Sequence, residues 1–148
     1  MYSVPELMII ETLRAVHLKH RLHEGDVSAH TKSAQTITKE WQAAVCNESV
    51  VSEVRVSKAN NERIDVVDLD TKTAYELKVS GKNTHHEFYK DLVKVLTYNE
   101  YQAPEQRLTK LVFISEEAGI RSLQARLDIL FLKMLESKHS LRIELVGI

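Results

Sequence analysis

Residues 62–80 read ERIDVVDLDTKTAYELKVS. Ile64 and Val66 alternate with Asp65 and Val67, and Tyr75, Leu77 and Val79 alternate with Glu76 and Lys78, the period of two expected of strands with a buried face. Between the two runs Asp70 and Thr71 supply polar turn residues, so the strands pair as a hairpin. A turn centred there sets Asp65 opposite Glu76, Ile64 opposite Leu77 and Val66 opposite Tyr75. A slip of one residue would set Ile64 against Lys78 and Asp65 against Leu77, mixing apolar and polar side chains on both faces. The alternation itself therefore selects the register.

In that register the two carboxylates stand about 5 Å apart on neighbouring strands, and Lys78 follows Glu76 on the same face by roughly 6.6 Å. Like charges directly opposite are destabilising, and a hard divalent cation relieves them. Mg2+ is commonly held by one or two carboxylates together with waters and phosphate oxygens. An ammonium beside it would orient an attacking water and stabilise charge developing on a phosphoryl centre. Asp65 and Glu76 are thus candidate metal ligands, Mg2+ the expected cofactor with Mn2+ as its substitute, and Lys78 the candidate water-positioning cation. The competing interpretation is an ordinary solvated sheet face with alternating charges.

Upstream, Val54 and Val56 alternate with Glu53 and Arg55, and Lys58-Ala59-Asn60-Asn61 provide a second turn, which extends the hairpin to a three-strand antiparallel meander. Ser3, Pro5 and Glu6 form a helix start with the elements of a capping box, and Gly25 is its expected stop. Ile37, Trp41, Ala44 and Val45 predict a second helix over about 29–47. Downstream, Thr84 and Glu87 form a second capping box ahead of Phe88, Leu92, Val95 and Leu96, so a helix is expected to run to about Tyr101. Pro104 marks a connection. KLVFIS at 110–115 reads as a buried strand; Ile120, Leu123, Leu127, Leu130 and Met134 read as one helix, and a last strand is expected at 141–146. The order is two helices, three strands, helix, strand, helix, strand: an α/β domain spanning 1–148, with 1–25 as an N-terminal helical extension.

The totals agree with a globular domain and restrict its partners little. The chain has 148 residues, 43% apolar and 28% charged, with four Gly and two Pro, a balance unlike that of disordered or fibrous chains. Twenty Lys and Arg against twenty-one Asp and Glu leave a formal charge of −1, so a polyanion would have to meet a local basic patch. The lone Cys46 excludes an internal disulfide and fits a reducing, cytoplasmic setting. No stretch approaches the roughly 20 apolar residues of a membrane span, and no basic leader precedes the first apolar residues, so neither membrane insertion nor export is expected.

Asp65, Glu76 and Lys78 in this hairpin resemble the core motif of the PD-(D/E)xK, or restriction-endonuclease-like, nuclease superfamily. Ile64 stands where the superfamily's name has proline, a position that varies within it. The element order from about 29 to 146 is similar to that superfamily's core, with only the first helix outside it. The resemblance implies a Mg2+-dependent endonuclease hydrolysing DNA, and a homodimer is expected where both strands of a duplex are to be cut; the N-terminal helix is the candidate dimer element. It also implies a further glutamate on the helix before the meander. Glu40 is the matching position, Glu48 the next choice, and Glu53, on the first strand, ranks below both. A rival from another class keeps the fold without turnover, as a catalytically inactive module that binds nucleic acid or assembles with partners.

The remaining polar residues read more plainly. Lys90 and Lys94, beside Tyr89 and Tyr98, are placed either to contact phosphates or to form a solvated helix face balanced by Glu87 and Asp91. His17, His20 and His23 with Lys19 and Arg21 make a basic helix end without the usual spacing of metal ligands. His85 and His86 fall at a helix start. Cys46 is expected to be a small buried apolar residue.

Overall fold

The computed structural model describes residues 3–21 and 30–148; the expected stop at Gly25, and His23, lie outside the described residues. Its elements are α1 (Val4–Arg21), α2 (His30–Val45), β1 (Val50–Arg55), β2 (Arg63–Asp68), β3 (Thr73–Lys78), α3 (Thr84–Glu100), β4 (Lys110–Ser115), α4 (Glu117–Arg126), α5 (Ile129–His139) and β5 (Arg142–Gly147), with a 3-10 turn at Pro104–Gln106. The five strands form one mixed sheet in the order β1-β2-β3-β4-β5. β1, β2 and β3 are the expected antiparallel meander, while β4 and β5 lie parallel to β3.

Crossovers of one hand stepping in one direction leave their helices on one face of a sheet. Accordingly α3, α4 and α5 share a face. Phe88, Leu92 and Val95 of α3 pack there with Leu123, Leu135, Val67, Ala74, Leu111 and Phe113. α1 and α2 cover the other face, where Ile9, Ile10, Leu13 and Val16, spaced at three and four residues, meet Ile37 and Trp41 over Val50, Val66, Tyr75, Val112 and Ile114. Trp41 is fully buried and its Nε1 donates to the Ile9 carbonyl at 3.1 Å, so its one polar atom is satisfied. A second tie joins this layer to the sheet, where Lys110 Nζ lies 2.8 Å from Glu6 and 2.7 Å from Glu144.

Two expected helix features come out differently. The single helix anticipated through Ile120 and Met134 is broken after Arg126, because Asp128 caps a new helix by accepting from the Leu130 and Phe131 amides at 2.7 and 3.3 Å. The capping box at Thr84 and Glu87 is not formed. Asn83 is the cap, and the Thr84 hydroxyl instead donates to the Gly119 carbonyl of α4 at 3.1 Å.

That contact fixes the loop that leaves β3. A Cβ at Gly119 would stand 2.6 Å from Thr84 Cγ2 and 3.0 Å from the Gly81 backbone. Alanine gains roughly 1 kcal/mol of helix propensity over glycine, but overpacking against backbone costs about 1–3 kcal/mol. Gly119→Ala is therefore expected to lower stability by up to about 2 kcal/mol in urea unfolding. An increase would show that the loop yields.

Candidate active site

β2 and β3 pair as Val66↔Tyr75, Val67↔Ala74 and Asp68↔Thr73, the register the alternation selects. The Asp68 carboxylate shapes the turn by accepting from the Asp70 and Thr71 amides at 3.0 and 3.3 Å. Beyond Val66 the ladder is carried by side chains. The Asp65 amide donates to Glu76 Oε1 at 2.6 Å, and the Leu77 amide donates to Asp65 Oδ2 at 2.9 Å. Each carboxylate thus occupies the place of a carbonyl on the neighbouring strand, and the strands spread where the two acids meet.

A second irregularity lies across β2. Glu53 falls opposite Asp65, between the pairs Ser52↔Val66 and Val54↔Ile64, and has φ 51°, a left-handed conformation uncommon in a non-glycine residue. The kink changes which face the strand presents. Ile64 and Val54 join the α3 side of the core, whereas Val66 joins the α1 and α2 side, so Ile64 and Val66 do not share the face that simple alternation predicts. Gln42 of α2 closes over this point: its Nε2 donates to the Asp65 carbonyl at 2.9 Å and to Glu53 Oε1 at 3.2 Å.

From the opposite face α3 delivers Lys94. Its ammonium contacts Glu76 Oε2, Asp91 Oδ1 at 3.1 Å and the Arg63 carbonyl at 2.7 Å. An ammonium has three donors, and here each has an acceptor. Lys94 and Glu76 are both buried, which rules out for Lys94 the solvated helix face, one of the two roles open to these lysines; Lys90 does lie exposed. Burial alone would lower the Lys94 pKa, but contact with Glu76 and Asp91 outweighs it and holds the ammonium charged. Burial also pushes the Glu76 carboxyl up, helped by the Asp65 and Asp91 charges and opposed by Lys94. Asp65 is raised to about 6, by burial first, against the Leu77 amide and the Lys94 charge, with Asp91 and Glu53 adding to the rise.

Lys78 ends β3 half-buried, 4.0 Å from Glu87. It shares a cleft of about 490 Å3 with Glu53, Thr38 and Lys39 of α2, and the β3 exit at Leu77–Ser80. The cleft therefore brings the lysine to the same opening as Glu53.

Glu40 is not at this site. Lys19 Nζ lies 2.8 Å from its Oε1 and His20 Nε2 3.0 Å from its Oε2, and these bonds hold its carboxyl below the usual carboxylate range. Two residues turn a helix by roughly 200°, so Glu40 faces α1 when Gln42 faces β2. Glu48 is exposed in the connection before β1. Of the three upstream glutamates, Glu53 is the one beside Asp65. Cys46 is exposed, not buried as expected. His85 and His86 stack at 4.0 Å beside Arg126, and Val4, Met8 and Leu18 lie exposed along α1.

No three His, Cys, Asp or Glu side chains among the described residues converge on one metal position. Mg2+ does not require that many, since waters and substrate oxygens complete its shell. Asp65 is half-buried, and its Oδ1 receives no hydrogen bond among the described residues, whereas Oδ2 is taken by the Leu77 amide. With the exposed Glu53 opposite, it offers hard oxygen donors of the type Mg2+ takes, and the residues fit such an ion.

Fold and site together define an α/β domain with a five-strand mixed sheet that sets a buried glutamate and lysine beside a half-buried aspartate where the pairing of β2 with β3 ends. No protein-family model, curated protein or solved structure matches the chain.

Proposed function

We propose that this protein is a metal-dependent endonuclease that hydrolyses phosphodiester bonds in DNA. The observation that carries the proposal is the interlock of Asp65 and Glu76. Acidic groups set side by side and largely out of water lower stability, and such perturbed groups gather where chemistry is done. The meander followed by helix, strand, helices and strand supports a restriction-endonuclease-like core, and DNA as substrate rests on the resemblance of the Asp65, Glu76 and Lys78 motif.

In this reading Asp65 offers its free oxygen to Mg2+, and Glu76, the second acid of the motif, fixes the Asp65 amide. The chemistry Mg2+ would supply there is polarisation of a phosphoryl oxygen and a lowered pKa for water. Lys78, at the cleft wall, orients the attacking water and stabilises charge on the phosphoryl group. Cutting both strands of a duplex takes two such sites, most simply in a homodimer.

Asp65→Ala and Lys78→Ala are each expected to lower the rate of Mg2+-dependent plasmid cleavage at least a hundredfold with the circular dichroism spectrum unchanged. Cleavage at the parental rate in both variants would sink the proposal.

A second reading has one observation in its favour: Lys94 already supplies a cation to Glu76. That suits a module that binds nucleic acid without turnover. Saturable Mg2+ or Mn2+ uptake in calorimetric titration separates the two, since the module needs none.

A further inference from the structure

Resting on the nuclease reading, the network on Glu76 has a consequence for which acids meet a metal. Both Glu76 oxygens are engaged, one by the Asp65 amide and one by Lys94. Lys94 in turn is held by Asp91 and the Arg63 carbonyl, so the ammonium is fixed from three sides. Glu53 differs in each respect. It is exposed, stands opposite Asp65 across β1 and β2, and is held through one oxygen by Gln42, which also grips the Asp65 carbonyl.

We propose that Lys94 is a positioning residue that acts as the resident counter-ion of Glu76 and withdraws that acid from a divalent cation, so that ligation falls to Asp65 with Glu53, aimed by Gln42. Two physical facts support the exchange. A cation brought to Glu76 Oε2 would stand against a desolvated ammonium, where like charges interact strongly. A cation at Asp65 Oδ1 meets Glu53 instead, and two carboxylates with waters suffice for Mg2+. The left-handed backbone at Glu53 is then a strained conformation kept at a working residue.

The test is calorimetric titration of the full chain with Mn2+, using wild type, Glu53→Gln, Asp65→Asn and Glu76→Gln. Expected is a loss of affinity of at least tenfold in Glu53→Gln and in Asp65→Asn, with Glu76→Gln within threefold of wild type. Lys94→Met frees Glu76 and is expected to bind Mn2+ at least tenfold more tightly than wild type, an effect a merely structural lysine would not produce; should that variant fail to fold, the Glu53 and Glu76 variants decide. A loss in Glu76→Gln, or wild-type affinity in Glu53→Gln, overturns the assignment while leaving a metal-dependent nuclease standing. Wild-type protein that takes up no Mn2+ overturns both.

Discussion

Replacing Lys94 with methionine is expected to lower the stability of the metal-free protein by about 3–5 kcal/mol, the usual loss when one partner of a buried ion pair is removed. Methionine fills much of the same volume, so the loss is electrostatic and not a packing defect. It leaves Glu76 and Asp91 facing each other in the interior, and the Arg63 carbonyl without its donor. Adding Glu76→Gln to Lys94→Met removes one of the stranded charges and is expected to recover at least half of the loss. Urea unfolding at neutral pH measures both. A single variant within 1 kcal/mol of wild type would mean that the network is solvated in solution and contributes little.

Asp65→Asn is expected to change stability in the opposite direction, by an amount that grows as pH rises from about 4 to about 6. The folded Asp65 carboxyl keeps its proton to about 6, against an ordinary value of 3.8. Between those values the unfolded chain has released the proton and the folded chain has not, so the slope of stability with pH is negative. Asp65's contribution is therefore most favourable below the ordinary value, falls as pH rises, and is fully lost above about 6, by roughly 3 kcal/mol. Asparagine has no proton to lose and still accepts from the Leu77 amide. Asp65→Asn should thus gain on wild type between pH 4 and pH 7.5, ending more stable by roughly 2–3 kcal/mol, while losing metal uptake. Ligation needs the ionised carboxylate, so wild-type affinity for Mn2+ should weaken as pH falls below about 6. Paired urea titrations at the two pH values check the stability claim. A difference that does not change with pH would show that Asp65 ionises normally in the folded protein.

How far the molecule could be read in advance follows from the range of each signal. The hairpin was legible because apolar alternation and turn residues are local, and together they select one register. Lys94 was not, because Lys90 and Lys94 at helical spacing match a solvated face equally well and the partner Glu76 lies on a distant strand. One clue was present. Asp91 falls on the buried stripe of Thr84, Phe88, Asp91, Val95 and Tyr98, and an acid on an apolar stripe calls for a buried cation, which Lys94 supplies three residues on. Glu53 was hidden for another reason, since a left-handed residue within a strand leaves no mark in composition. Glu40 differs from the expectation because of helix phase: the pattern shows that Trp41 turns inward, but not which neighbour faces α1 and which faces β2. The break at Asp128 was masked by Leu127 and Leu130, which continue the helical spacing although Leu130 is 70% exposed.

The central claim is that the acids and lysine gathered on this hairpin cut DNA with the help of a metal. Incubating the purified chain with duplex, single-stranded and branched DNA and with RNA, with Mg2+ or Mn2+ and with chelator, tests it most directly. Cleavage of at least one DNA substrate in either metal and none in chelator is expected. Folded protein that leaves every DNA intact in both metals, or cuts equally well in chelator, would contradict it.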